Sequence, residues 1–290
     1  MTLTPDRHRG ASAGAVEGTR QLQIGCDFVH QTPVDVPAVF IVEPLDDQQA
    51  EVLDAGWSLE PAAPSRTFLD IYGNTCRRLG VPAGRSTISY RATLRVPDAT
   101  EDADTDAPEV PPEKLPDELL LYTLPSRYCL PDVLGQEAWN RFGPVAPGYG
   151  RVQAICDHVH DHLTFAYGSS NAWTTAADVH QSGYGVCRDF THLAVSFCRA
   201  LNIPARYVFG YLPVIEAEDP GTPMDFAAWM EVWLADRWWT FDPRNNDRRK
   251  GRVLIGRGRD AADVAMLTTF GAPVLESMTV ISEEIGQESA

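Results

Sequence analysis

The stretch from Gly183 to Tyr211, GYGVCRDFTHLAVSFCRALNIPARYVFGY, constrains this chain more than any other, because it reads as loop, helix, break and strand with a cysteine at the joint. Phe190, Leu193, Ala194, Phe197 and Leu201 recur at three- and four-residue spacing, which marks one buried face of a helix. Cys187 precedes them and follows a glycine pair, Gly183 and Gly185, so its thiol is expected at the helix N-terminus. Unpaired backbone N–H groups and the positive end of the helix dipole favour a thiolate there, the form of cysteine that attacks a carbonyl carbon. A small buried core residue is the plainer reading of a free cysteine, and position alone does not choose between the two.

Composition narrows the setting. With 290 residues, 44% of them hydrophobic, the chain can bury a core of one large or two modest domains. A net charge of −16 argues against nucleic acid or an anionic membrane as partner, since both call for a basic surface. The six cysteines, Cys26, Cys76, Cys129, Cys156, Cys187 and Cys198, form no CxxC pair, so neither a disulfide framework nor a zinc knuckle is expected and reduced cytoplasmic thiols are the simplest account. Residues 1–20 hold no signal-like apolar run and read as a flexible tail, and nothing downstream approaches the roughly eighteen apolar residues of a membrane span.

From 21 to 97 the chain carries short runs rich in Val, Ile and Phe, punctuated by Pro33, Pro37, Tyr72-Gly73-Asn74 and Pro82-Ala83-Gly84, with alternation over 87–96. This is the pattern of a small β-sandwich, and no catalytic spacing occurs within it. Residues 98–118, DATEDADTDAPEVPPEKLPDE, are dense in carboxylates and prolines and read as a solvated linker; they lack the spacing of a calcium loop. Short helices broken by prolines are expected next, then a longer helix over 149–164 whose His158 and His162, four apart, lack a third ligand for a metal. Beyond the central helix, Asn202-Ile203-Pro204 is a break, Ala205 to Tyr211 a strand, and AWMEVWL and RWWTF a hairpin turning at Ala235-Asp236 and ending at Asp242-Pro243. Strand ends of this kind can hold side chains rigidly beside a helix N-terminus.

The ordered motifs GVCRDF, IPARYVFGY and MDFAAWMEVWLADRWWTFDPR resemble the transglutaminase-like superfamily of bacterial cysteine acyltransferases and peptidases. The resemblance spans Leu115 to Ile281, and the upstream β-rich region with LPSRYCLPD resembles the family's N-terminal arrangement. It implies an α+β fold: an N-terminal β-sandwich-like domain, then a transglutaminase/papain-like core with the nucleophile at a helix N-terminus packed on an antiparallel sheet. The expected division is tail 1–20, β-rich domain 21–97, linker 98–118 and catalytic core 119–290. Within the family pattern Cys187 matches the nucleophile and Asp242 the carboxylate that orients a histidine. That histidine is missing, because where the family reads DFHAW this chain has Ala227 at the base position.

The implied reaction is acyl transfer on an amide through a thioester on the cysteine, by a peptidase, an amidase, a transglutaminase or an amide-forming enzyme. Its substrate is a peptide, protein or small-molecule amide, with an amine as possible acceptor, and no cofactor or metal is called for. Alanine neither takes nor delivers a proton, so the chain as written is expected to be nearly inactive. The intact setting of Cys187 and Asp242 favours an engineered His→Ala change over a natural pseudoenzyme that binds peptides or proteins. His192, five positions along the helix from Cys187, is rotated by about 500° and points elsewhere, while His180, in the preceding loop, approaches more easily. The Cys187 N–H is the expected oxyanion donor, with Gln181, Trp173 and Tyr167 as further residues of an oxyanion or substrate pocket. The acid-rich surface leans toward a cationic or amine-bearing substrate.

Overall fold

Every second residue from Ser86 to Val96 is buried, and this alternation makes β6 (Gly84–Pro97) the strand on which the N-terminal half is built. The computed structural model describes residues 18–46, 50–218 and 221–286. Upstream of β6 lie β1 (Thr19–Thr32), β2 (Val36–Phe40), β3 (Glu51–Glu60), β4 (Ser65–Leu69) and β5 (Thr75–Val81). Downstream come α1 (Pro131–Phe142), α2 (Tyr149–His162), β7 (Thr164–Phe165), α3 (Ala176–Ser182), β8 (Tyr184–Gly185) and α4 (Cys187–Ala200). The chain finishes with β9 (Ala205–Tyr211), β10 (Ala227–Leu234), β11 (Arg237–Phe241), β12 (Val253–Gly258), β13 (Leu267–Thr269) and β14 (Val274–Ile285). Among the described residues no helix is long and apolar enough to cross a membrane.

Among the described residues, three four-stranded sheets carry the architecture. Two belong to the β-sandwich-like unit, in the orders β14-β1-β6-β3 and β13-β2-β5-β4, and the third, β11-β10-β9-β12, is antiparallel and supports the helices. The α+β class and the helix packed on an antiparallel sheet are therefore as the sequence implies. The final strands differ from expectation: β14 pairs along β1 and β13 along β2, so the tail of the segment assigned to the core completes the sandwich. Of the expected 1–20 tail, residues 1–17 lie outside the described residues, whereas Arg20 sits in β1 with its guanidinium on Asp98, Glu216 and Glu284.

The acidic segment 98–118 is exposed at most positions, but it is tied to the folded parts of the chain at several points. Asp98 accepts from Arg20 and Lys250, Glu109 from Arg151 and the Gly148 N–H, and Glu101 from the Arg249 N–H, while Thr100 bridges Lys250. Each of these carboxylates meets a cation or an N–H, which holds the segment as a strap along the core. Composition cannot reveal this, because the partners lie far away in sequence.

Helix α4 is the hub. Its Phe190, Leu193, Ala194 and Phe197 meet Met230, Val232 and Leu234 from β10 and Phe241 from β11 in one apolar cluster. A second cluster joins Tyr207, Phe209, Tyr211 and Ala228 of the central sheet to Leu22, Phe28, Phe40 and Ile88 of the sandwich, with Cys187 packed at its margin. The first residue of α4 thus stands where the two cores meet.

Candidate active site

Two glycines set the approach to α4. Gly183 has φ 74°, the left-handed conformation that ends α3. A Cβ on Gly185 would lie 2.8 Å from Asp189 Cβ, too close for any other residue. The buried Asp189 carboxylate accepts the Val186 N–H at 2.9 Å and favours the positive end of the helix. These contacts present Cys187 as the first helical residue.

The sulfur faces the edge of β10 beyond the point where β11 has ended. Cys187 Sγ lies 3.8 Å from Phe226 O, and the Ala228 and Arg188 N–H groups stabilise its anion. Residue 227 is bracketed by these two contacts. The Cys187 thiol is pushed up to about 11, because burial outweighs Arg244 and the N–H groups. A thiolate favoured by the helix terminus was the expectation; the half-buried seam between two apolar clusters reverses it.

Ala227 packs against the cluster of Leu45, Val208, Trp229 and Leu254. Phe241 lies opposite Met230, so the next residue, Asp242, falls on the Trp229 side, and Arg252 stacks 4.8 Å over the Trp229 ring while donating to Asp242. The Asp242 carboxylate accepts the Arg244 N–H at 3.0 Å, the Asn245 N–H at 2.9 Å, Asn245 Nδ2 at 2.7 Å and Arg252 Nη2 at 2.7 Å. Burial alone would raise it, yet Arg252 and Asn245 hold it below the usual carboxylate range. Arg252 in turn pairs with Glu101 of the acidic strap. Burial raises the Glu101 carboxyl despite that same guanidinium.

A cavity of about 480 Å³ opens beside the sulfur, lined by Cys187, Ala227, Phe165, Phe209, Met224 and Met266 among others. Its volume and apolar walls suit a small acyl group or an amino-acid side chain. Arg244 forms part of the wall, with its guanidinium 4.1 Å over the Phe165 ring, and Asn245 lies beside it. Cys187 and Ala227 therefore share one cavity, and Asp242 holds two residues of its lining. Of the pocket residues expected from sequence, Tyr167 lines the cavity, whereas Trp173 is 73% exposed and Gln181 faces solvent from α3, so neither belongs to the lining.

Among the described residues no histidine lines the cavity. His192 is buried, stacked on Tyr128 and packed at a tilt against Tyr207, and accepts the Ala261 N–H at Nε2. His180 lies on α3 rather than in a loop, with its ring 4.9 Å from His162 and edge-on to Phe197. Sequence reasoning missed Arg244, Asn245 and Arg252. The first two follow Asp242 within one turn of chain, a signal present in the sequence; Arg252 carries none, since only the fold sets it between Asp242 and Glu101.

Residues 138–243 match the model of the transglutaminase-like superfamily. A protein of Cytophaga hutchinsonii, proposed to be a cysteine protease and solved to 1.9 Å, superposes with a TM-score of 0.84 at 30% identity, covering 94% of this chain and 93% of that one. An uncharacterised protein of Mycobacterium tuberculosis (strain ATCC 25618 / H37Rv) is 32% identical over 149 residues, 47% of this chain and 46% of its own. One of Mycobacterium leprae (strain TN) is 33% identical over 119 residues, 40% and 42% respectively. The matched region spans less than half the length of either mycobacterial relative.

Proposed function

Because this chain belongs to the transglutaminase-like superfamily, we propose that its site performs cysteine-dependent acyl transfer on an amide, with Cys187 as nucleophile, residue 227 as the base position and Asp242 as the orienting carboxylate. The observation that carries the reading is the seat of the Cys187 sulfur, between Phe226 O and the Ala228 N–H, on either side of residue 227. A histidine there would take the thiol proton and pass it to the departing amine, with Asp242 fixing its tautomer. The acyl group would rest on Cys187 as a thioester until water or an amine removed it. The Arg188 and Ala228 N–H groups are suited to the oxyanion, since they already favour negative charge at the sulfur.

With alanine in that place the amide reaction loses roughly four powers of ten or more, the cost of removing one member of a cooperating unit. The substrate is a peptide, protein or small-molecule amide, released by hydrolysis or passed to an amine. The local integrity of the site supports an engineered Ala227. The test is intact-mass analysis of the Ala227→His protein incubated with candidate peptides and amines. Acylation and turnover that Cys187→Ala abolishes are expected. A substituted protein that stays inert, while the chain as given binds a peptide with an affinity indifferent to Cys187→Ala, would instead make this a binding module.

A further inference from the structure

Ala227 removes proton transfer, and not every acyl donor requires it. In a tetrahedral intermediate formed from an amide, the nitrogen departs only once it is protonated; otherwise the attacking sulfur is expelled and nothing changes. The partners of Cys187 Sγ are backbone groups, the Phe226 carbonyl and the Ala228 and Arg188 N–H groups, and none of them can shuttle a proton. The cavity carboxylates Asp225 and Glu218 make no hydrogen bond to the sulfur, and Asp225 accepts the Phe226 N–H. The site retains a nucleophile, N–H donors for an oxyanion and an apolar cavity, and lacks only the acid.

It also retains a cation. Arg244 is fixed at its backbone by Asp242 and at its guanidinium by Phe165, lines the cavity, and has no carboxylate within 4 Å among the described residues. Asp225, also in the lining, feels the Arg244 charge and opposes it at the sulfur but forms no ion pair with it, so the guanidinium leaves positive charge beside the sulfur for the reaction. Its field favours the Cys187 thiolate and any anion leaving next to it.

The geometry points to a second acyl-donor class for the chain as it stands: a thioester, attacked by Cys187 within the cavity beside Arg244. This rests on the reading of Cys187 as nucleophile and goes beyond it in naming a donor that needs no base at residue 227. The thiol first loses its proton to solvent. The Cys187 thiolate adds to the thioester carbonyl, the carbon–sulfur bond of the donor breaks, and the donor's thiol departs as a thiolate that takes a proton from water. An ordinary thiol, of pKa about 8.5, leaves without an acid. Cys187, whose own thiol is pushed up to about 11, is the poorer leaving group of the two sulfurs, so the intermediate collapses toward acyl-Cys187. A neutral amine then attacks the acyl-enzyme, solvent takes the surplus proton from its nitrogen, the carbon–sulfur bond to Cys187 breaks, and the released thiolate takes a proton from water. The chain as given would make amides from thioesters while failing to cleave amides.

The test incubates the purified full chain at pH 8.5 with a phenylbutanoyl thioester of N-acetylcysteamine and, separately, with the matching N-methyl amide, and maps the adduct by mass spectrometry. One phenylbutanoyl group on Cys187 is expected from the thioester and none from the amide. Added benzylamine should discharge it as the benzylamide, Cys187→Ala should abolish the adduct, and Arg244→Gln should slow its formation about tenfold. A chain left unmodified by the thioester, while the Ala227→His protein is acylated by it, would overturn the inference and leave the proposed nucleophile standing. Failure of both proteins to be acylated at Cys187 by either donor would remove the nucleophile along with it. An adduct rate that Arg244→Gln leaves unchanged would mark the acylation as adventitious and overturn the inference as well.

Discussion

Asp242 and Arg252 meet through a 2.7 Å hydrogen bond where the aspartate side chain is 1% exposed and the arginine 6%. Neither charge can be left alone at such a place. Arg252→Gln should destabilise the protein by about 3–5 kcal/mol, the cost of leaving one partner of a buried pair uncompensated. Urea unfolding of Arg252→Gln, Asp242→Asn and the double variant checks this. The double variant should lose less than the sum of the singles, and strict additivity would mean the two groups do not act together.

Glu231 provides an acid-side signature. It lies buried between Arg206, at 2.6 Å, and Arg257, at 2.9 Å. Burial alone would raise its carboxyl, but the two guanidiniums hold it at about 2. Its folded-state pKa is depressed, so its contribution is complete above the unfolded value near 4.3 and is lost as pH falls toward about 2. Glu231→Gln should therefore flatten the fall in stability across that window. Parallel unfolding curves for the two proteins from pH 4.5 to 2.5 would contradict the assignment.

His192 acts over a different window. Burial pushes it down to about 3, since a charged imidazole between Tyr128 and Tyr207 would be desolvated. The unfolded chain takes up this proton below about 6.5 and the folded chain resists it, so stability falls with pH from 6.5 toward 3. Each unit in that range costs about 1.4 kcal/mol for one proton. His192→Gln, which keeps an acceptor for the Ala261 N–H, should reduce the slope by about one proton between pH 6 and 4.5. An unchanged slope in urea titrations would assign the uptake to other groups, such as His158, which burial lowers to about 4.

Local signals carried the parts of the fold that local physics decides. The spacing of Phe190, Leu193, Ala194 and Phe197 placed α4 and Cys187 at its start, and Ala235, at φ 55°, turns the hairpin that ends before Asp242. What depends on distant chain was not legible. Pairing of β14 with β1 requires knowing that Val280 meets Cys26 across the whole molecule. The acidic strap has the composition of a solvated segment, and only the positions of Arg151, Lys250 and Arg252 make it structural. Likewise, the helix terminus at Cys187 was readable, but the burial that raises its thiol comes from the meeting of two cores assembled from opposite ends of the chain.

The central claim is that a side chain at position 227 acts directly on Cys187, and the pH dependence of iodoacetamide alkylation tests it most directly. In the chain as given, the Cys187 rate should rise about tenfold per pH unit toward a plateau near 11. The other five cysteines, all buried, should stay largely unmodified. In the Ala227→His protein an imidazolium beside the sulfur should lower the thiol pKa and speed alkylation near neutral pH, with the gap closing as pH rises. Equal rates for the two proteins at every pH, with Cys187 equally accessible to a neutral thiol reagent at high pH, would mean that residue 227 does not reach the sulfur and would contradict the account.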